Sequence, residues 1–281
     1  MAQVIQDDQG IFFVHYSIQP EKLSVLTYEG NYSISFMVNG MVSDSDGKVI
    51  FQYEKTFPAD FSREQIEDVQ QTSIVIQDMI PLAPGDYQFS LLLKNTVSKE
   101  FTSFEKQLSI PQEFFLPVIT PLLLGYQMKR SSSPQGSKRP FEIGNFQISC
   151  QAGNTFHPKE DIVVFFQALG LSEELKKMGS IRFTFYKKEN EFASMEKKIA
   201  GFALGTNFIQ TFPLRTFPPD YYKIEVSILD GAKNIVVSAN NDFEITHAAD
   251  LPRPWIIAKL MPASQNAAYS YILGSQFTQK G

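Results

Sequence analysis

The chain has 281 residues, of which 43% are hydrophobic and 20% charged, an ordinary globular composition that suggests about two domains of ~150 residues each. Its formal net charge at pH 7 is -5 and its isoelectric point is about 5.3. Because phosphate backbones and anionic lipids are drawn to a positive field, nucleic acid is excluded as an expected partner.

The sequence contains no segment that we expect to enter a membrane. Its start, "MAQVIQDDQGIFF", has no basic stretch followed by an apolar run, so it is not an intact signal peptide and is compatible with a mature start carrying an added Met. The longest apolar stretch, Phe114 to Tyr126, is broken by prolines and is shorter than the roughly 20 residues of a spanning helix. No membrane insertion is predicted.

The N-terminal part has the alternation of apolar and polar residues that is typical of β-strands. In "YSISFMV" one face carries Tyr32, Ile34, Phe36 and Val38. Asp46 and Gly47 lie between two strand-like runs, which predicts a hairpin turn. Ser62 and Gln65 have capping-box spacing, which predicts a short connecting helix over 62–70.

Two distant segments repeat one pattern at a constant offset along the chain. The first, "PLAPGDYQFSLLLKN", follows a Pro-Gly turn and the second, "TFPPDYYKIEVSILDG", follows a Pro-Pro turn. The alternating residues are Tyr87, Phe89, Leu91 and Leu93 in the first and Tyr222, Ile224, Val226 and Ile228 in the second. Leu108 and Ile110 precede Phe243 and Ile245 by the same offset that separates Tyr87 from Tyr222. The repeat predicts an all-β protein with two tandem antiparallel sandwiches of Ig-like or fibronectin type.

A tyrosine follows the Pro-containing turn in both copies. In Ig-like sandwiches such a tyrosine forms a corner, in which the phenol bonds to upstream backbone. Tyr87 is therefore a candidate corner residue in the first copy, and Tyr222 in the second, where Tyr221 competes for the role. The alternative is that each tyrosine only fills the core.

The predicted domains are 1–111 and 112–247, with the boundary near Pro111 because the apolar stretch 114–126 needs a sheet to cover it. The polar, Pro/Gly/Ser-rich and basic segment 128–139 is expected to be a mobile loop inside the second domain. Later in that domain, "LSEELKKMG" has the features of a short helix, with Ser172 as its N-cap and Gly179 as its end.

The pattern changes after the second domain, and 248–281 is predicted to be an extended strap followed by a helix. The strap contains the one tryptophan, Trp255, which we expect to dock on folded protein together with Ile256 and Ile257. The helix is expected over 267–280. We expect it either to dock on the second domain through Tyr271 and Phe277 or to fray, and it could self-associate through the same side chains. Trp255, Tyr271 and Phe277 are thus the candidate interaction residues.

The helix is also similar to the first helix of a tetratricopeptide repeat. Its Leu273, Gly274, Phe277 and Gly281 have the spacing of the repeat consensus. This similarity predicts that the chain is a fragment, cut from a longer protein at the turn of its first repeat. The alternative is an ordinary C-terminal helix.

No motif for catalysis, cofactor binding or metal binding is found. His15, His157 and His247 are far apart in sequence, and none has metal-ligand spacing. The one cysteine, Cys150, lies in a strand-like pattern with no histidine near it in sequence, so a small buried hydrophobe is predicted rather than a nucleophile. No catalytic, cofactor-binding or metal site is assigned, and no cofactor is expected.

The order of these segments resembles the C-terminal β-sandwich region of bacterial GWxTD-domain proteins that also carry tetratricopeptide repeats. The resemblance is carried by "YEGNYSISFMVNGMVSDSDGKVIF" and "PLAPGDYQFSLLL", by "RPFEIGNFQISC" and "NTFHPKEDIVVFFQALGL", and by "PRPWIIAKLMP" and "AAYSYILGSQFTQKG". The Gly-Trp-x-Thr-Asp motif itself is absent, so no activity of that domain is assigned to this chain. The resemblance implies a periplasmic or extracellular location, after loss of a signal peptide that this chain does not contain; the cytoplasm is the alternative.

Three functions are compatible with this pattern. The first is a non-catalytic protein-interaction or scaffolding segment of a larger, exported bacterial protein, with protein partners. The second is a carbohydrate-binding module, because 13% of the residues are aromatic and could stack on sugars. The third is an enzyme whose site is assembled from distant loops. Of the three we expect the first, and no enzymatic activity.

Overall fold

The computed structural model describes residues 2–6, 9–18, 25–69, 72–151, 153–202, 205–262 and 267–280. The elements of its first part are β1 (Ala2–Gln6), β2 (Gln9–Ile18), β3 (Leu26–Tyr28), β4 (Asn31–Asp44), β5 (Val49–Phe61), α1 (Arg63–Val69), β6 (Ile74–Leu82), β7 (Gly85–Asn95) and β8 (Phe101–Ile110). The protein is mainly β, with several sheets and a short C-terminal helix.

The remaining elements begin after a connection that follows β8. They are β9 (Val118–Ile119), β10 (Leu123–Gly125), β11 (Gln127–Arg130), β12 (Ser137–Lys138), β13 (Glu142–Ile143), β14 (Phe146–Ser149), β15 (Thr155–Phe156), β16 (Asp161–Leu169), α2 (Glu173–Met178), β17 (Ser180–Lys187), β18 (Asn190–Lys198), a 3-10 turn (Ile199–Gly201), β19 (Asn207–Pro213), β20 (Asp220–Leu229), β21 (Ile235–Ile245), β22 (Trp255–Ala258), β23 (Met261–Pro262) and α3 (Ala267–Lys280).

The first pair of sheets encloses one apolar core. Sheet I has the order β1-β2-β6-β22; sheet II has the order β3-β4-β7-β8, and β5 also pairs with β4. Alternate residues of the strands meet between the two sheets, for example Phe12 and Val14 of sheet I with Phe36 and Phe89 of sheet II. The period-two alternation predicted for "YSISFMV" is thus confirmed, because Ile34, Phe36 and Val38 are buried in this core.

The second pair encloses a core rich in phenylalanine. Sheet III consists of β10, β16 and β19, with β9 also paired to β16; sheet IV has the order β15-β21-β20-β17-β18. Phe166 of sheet III stacks on Phe208 with ring centroids 5.3 Å apart and meets Phe183 of sheet IV edge-on at 6.1 Å. Many of the aromatic side chains are therefore core residues.

A third apolar cluster joins the two pairs. The face of sheet I opposite the first core carries Ile11, Phe13 and Met79, and these pack on residues of the second part that include Phe141 and Val163. Strand β6 of sheet I is consequently covered on both faces, and all nine of its residues are buried. The two pairs of sheets form one packed stack rather than two units on a flexible tether.

Several local predictions are confirmed. Ser62 and Gln65 form the reciprocal capping box, in which Ser62 N donates to Gln65 Oε1 at 2.9 Å and Gln65 N donates to Ser62 Oγ at 3.3 Å. Ser172 Oγ accepts from Leu175 N at 3.2 Å at the start of α2. Gly47, with φ +80°, makes the turn between β4 and β5.

The constant offset between the two copies is confirmed in the pairing of strands. Gly85 faces Ile110 in the β7–β8 hairpin, and Asp220 faces Ile245 in the β20–β21 hairpin. Both predicted corners form as well: Tyr87 OH donates to Ala83 O at 2.8 Å, and Tyr222 OH donates to Pro218 O at 2.7 Å. The competing Tyr221 is 71% exposed.

Two features differ from the expected arrangement. The sheets are not wholly antiparallel, because β22 pairs with β6 and β15 pairs with β21 in the parallel sense. The segment 128–139, expected to be a mobile loop, is held at both ends: β11 pairs with β14, and β12 pairs with β23 of the strap. Ser133 Oγ, which lies between these two strands, and Arg139 N both donate to the buried carboxylate of Glu142 in β13. Polar residues that cannot form a core are thus ordered by partners distant in sequence.

Candidate interaction surface

The strap, residues 248–262, is anchored to the second pair of sheets by Arg253. Its Nε donates to Glu160 Oε1 at 3.0 Å, its Nη2 pairs with the other oxygen of Glu160, and its Nη1 donates to Thr155 O at 3.1 Å. The guanidinium lies 4.0 Å from the centroid of the Tyr126 ring. Such a bidentate, stacked arginine fixes a direction as well as a position, so the strap leaves the second pair along a defined path.

The strap then crosses to the first pair and completes sheet I. Trp255 N donates to Ser73 O at 3.0 Å, and β22 continues alongside β6. Trp255 meets Phe61 edge-on at 5.6 Å and packs, with Ile257, on the first core, whereas Ile256 is 39% exposed because it points to the opposite face. The predicted docking of the strap is confirmed for Trp255 and Ile257.

Helix α3 docks on the first pair of sheets, so its expected docking on the second domain through Tyr271 and Phe277 is wrong. It contacts β5 and β6, and Leu273 and Gln276 are buried among those of its side chains that the structure describes. Gln276 Nε2 donates to Pro81 O at 2.9 Å, and Gln276 Oε1 accepts from Ala83 N at 3.0 Å. The physical reason is that one amide satisfies two buried backbone groups at the end of β6.

The outer side of α3 carries exposed aromatic rings. Tyr271 is 78% exposed and Phe277 is 53% exposed. In the described part of the chain, a Cβ on Gly274 would meet no atom within 4 Å apart from its chain neighbours and the backbone of its own helix. Trp255 is partly buried against the first core, so the three predicted interaction residues do not form one exposed surface. Of these, Tyr271 and Phe277 remain available to a partner.

The structure brings His15 close to Cys150, which sequence reasoning had missed. Cys150 Sγ lies 3.7 Å from His15 Nδ1 at the interface between the two pairs of sheets. Burial lowers the pKa of His15 to about 4 and raises the pKa of Cys150 to about 12. Both groups are therefore neutral at pH 7, whereas a nucleophilic cysteine needs a thiolate stabilised by a cation. Cys150 is buried, as predicted.

A cleft of about 480 Å³ opens on sheet IV. Its walls include Tyr186, Tyr221 and the carboxylates of Asp242 and Glu244, and the Lys223 ammonium lies 4.9 Å from the centroid of the Tyr186 ring. Exposed rings beside carboxylates and an ammonium can stack on and hydrogen-bond to a polyhydroxylated molecule.

The described residues form neither a metal site nor a membrane-spanning helix. Within the described ranges, no three His, Cys, Asp or Glu side chains lie close enough together to hold a metal ion. None of the helices in the part of the chain that the structure describes is long and apolar enough to cross a membrane.

Comparison with known proteins does not place the chain in a family. No family model and no curated protein matches it. Among solved structures, it is similar to the crystal structure of red sea bream transglutaminase, at 10% sequence identity, with a TM-score of 0.23 and coverage of 85% of this chain and 29% of that chain. The chain thus spans less than a third of the transglutaminase, and a TM-score at this level does not establish a common fold.

Proposed function

We propose that the chain is a non-catalytic protein-interaction and scaffolding segment of a larger, exported bacterial protein. In this proposal the two pairs of sheets are tandem Ig-like sandwiches, and the family is that of the GWxTD-domain proteins. The two tyrosine corners and the matching register of the two hairpins support the assignment as Ig-like sandwiches. The family assignment rests on the sequence resemblance alone.

The main support for the proposal is the way in which α3 packs on the first pair of sheets. Leu273 and Gln276 hold the helix on the first pair of sheets, and this leaves Tyr271 and Phe277 exposed on a firmly held element. Exposed aromatic side chains on a rigid element suit protein recognition, because little conformational entropy is lost when a partner covers them. The third apolar cluster adds support, since it fixes the two pairs of sheets as a spacer of constant length.

Site-specific photocrosslinking tests the proposal. The benzoylphenylalanine variant at Tyr271 is incubated with bacterial envelope proteins and illuminated, and the matched control carries the same group at Ile235, which is 60% exposed on sheet IV. We expect a discrete adduct from position 271 that the unlabelled chain competes away and that position 235 does not give. Equal labelling from both positions, or none from 271, would contradict the proposal.

A second candidate is carbohydrate binding at the cleft on sheet IV, because Tyr221 offers a ring that is 71% exposed beside Asp242 and Glu244. Affinity electrophoresis in gels that contain a panel of glycans would detect it. Tyr221→Ala should abolish retardation, whereas Tyr28→Ala, at a ring 69% exposed on β3, should not. Absence of retardation in every gel would remove this candidate.

A further inference from the structure

A lysine and an aspartate from opposite sheets meet inside the first core. Lys55 of β5 and Asp78 of β6 form an ion pair, with side chains 15% and 2% exposed, and Met79 N donates to Asp78 Oδ1 at 2.8 Å. Removing two charges from water costs about as much as their attraction returns, so a buried pair of this kind is seldom present for stability alone. Its presence in an apolar core needs another explanation.

The surroundings leave little of the pair open to water. The strap places Met261 Sδ 3.3 Å from Lys55 Nζ, and the Nζ lies 4.7 Å from the centroid of the Tyr53 ring. The second carboxylate oxygen of Asp78 and the hydroxyls of Tyr16 and Tyr53 are buried beside the pair, and in the described ranges none of these three atoms has a hydrogen bond of good geometry. The three groups nevertheless interact, because, after burial itself, both Asp78 and Tyr16 raise the pKa of Tyr53. Such a cluster of poorly satisfied polar atoms around one ion pair is unusual in a folded core.

The fold makes specific room for Tyr53. Gly40 lies directly opposite it on β4, and a Cβ at Gly40 would come within 2.3 Å of the Tyr53 ring. Burial, and after it the charge of Asp78, raises the pKa of both Tyr53 and Tyr16. Each phenol therefore keeps its proton beside the carboxylate and can donate it or pass it on.

We propose that Lys55 and Asp78 condense to form an intramolecular amide bond that joins sheet I to sheet II. A proton first passes from the Lys55 ammonium to the Asp78 carboxylate, giving an amine and a carboxylic acid. The lone pair of Nζ then forms a bond to Cγ, and the carbonyl electrons move onto oxygen. The tetrahedral centre collapses as one Cγ–O bond breaks, and that oxygen leaves with two protons as water. The Tyr53 hydroxyl relays a proton to the departing oxygen.

The condensation requires no further reagent, because an ammonium and a carboxylate become one amide and one water. Two effects favour the condensation at this buried pair. Groups fixed in contact react with effective molarities that reach ~10⁵–10⁸ M. Exclusion of water lowers the cost of the initial proton transfer, since solvation no longer favours the charged forms.

Intact-mass spectrometry of the purified, refolded wild-type chain tests the proposal without any variant. We expect a mass below the sequence mass by one water molecule. A tryptic digest should then contain one branched peptide that joins Lys55 to Asp78, uncleaved after Lys55 because trypsin requires a free ammonium. A full sequence mass, with cleavage after Lys55, would overturn the proposal.

Two variants separate the amide from other dehydrations. A cyclic imide at Asp78 and Met79 would also remove one water, but Lys55→Arg should leave the imide and abolish the crosslink. Asp78→Asn should still form the crosslink, now with loss of ammonia instead of water. A mass deficit that survives in Lys55→Arg would overturn the proposal even if the wild-type deficit were present.

Discussion

Acidification should loosen the interface between the two pairs of sheets through His15. In the unfolded chain this imidazole titrates near pH 6.5, whereas burial lowers its folded-state pKa to about 4. Below pH 6.5 the unfolded state binds a proton at His15 that the folded state excludes. The contribution of the neutral imidazole to the free energy of unfolding is therefore complete above pH 6.5 and is lost as the pH falls toward 4. At about 1.4 kcal/mol for each pH unit, the loss is about 3 kcal/mol.

Urea unfolding between pH 7 and pH 4, followed by the fluorescence of the single Trp255, measures this loss. The His15→Asn variant cannot bind the proton and should lose about 3 kcal/mol less than the wild type over the same range. His247→Asn, at an exposed position, serves as the control and should follow the wild type. The carboxylates titrate in all three proteins, so their effect on stability cancels in the comparison. Coincident pH profiles of wild type and His15→Asn would refute the reasoning.

Five further substitutions test the packing in the same urea assay at pH 7. Arg253→Met should cost about 2–4 kcal/mol, because it leaves a partly buried carboxylate without its partner; a change below about 0.5 kcal/mol would contradict the anchoring role. Tyr87→Phe and Tyr222→Phe should each cost about 1 kcal/mol, since each removes the hydroxyl that donates to upstream backbone, with Tyr87 also near Pro84 O at 3.3 Å; strongly unequal losses would argue against equivalent corners. Gly170→Ala should cost more than about 2 kcal/mol, because its φ is +67° and a Cβ would meet a main-chain oxygen at 2.4 Å, whereas Gly274→Ala on the open side of α3 should be neutral or slightly stabilising. Equal effects of the two glycine variants would show that this steric argument is wrong.

The features that could be predicted are those encoded within a few residues of chain. The capping box at Ser62 depends on one side chain three residues away, and the corner at Tyr87 on a carbonyl four residues upstream. The register of the two hairpins could be predicted because each pairs neighbouring strands across a short connection. Such contacts are determined by local backbone geometry, so they can be predicted from the sequence pattern.

The missed features depend on which distant surfaces meet. All nine residues of β6 are buried, so Gln77 and Asp78, polar residues that normally lie at the surface, are enclosed by packing on both sides. His15 and Cys150 come together only because sheet I packs on the second part of the chain. The same limit explains α3, which was expected to dock through Tyr271 and Phe277, whereas the backbone at the end of β6 binds the Gln276 amide.

The parallel strand β22 also has a consequence for the order in which the protein is made. Sheet I receives this strand only after the whole second pair of sheets has been synthesised, because β22 follows β21 in the chain. At a translation rate of ~5–20 residues per second, the edge of β6 stays unpaired for on the order of 10–30 s before β22 is synthesised. During that interval its unpaired edge can bind a strand of another nascent chain. We expect this protein to depend on a holding chaperone during translation more strongly than its final stability would suggest.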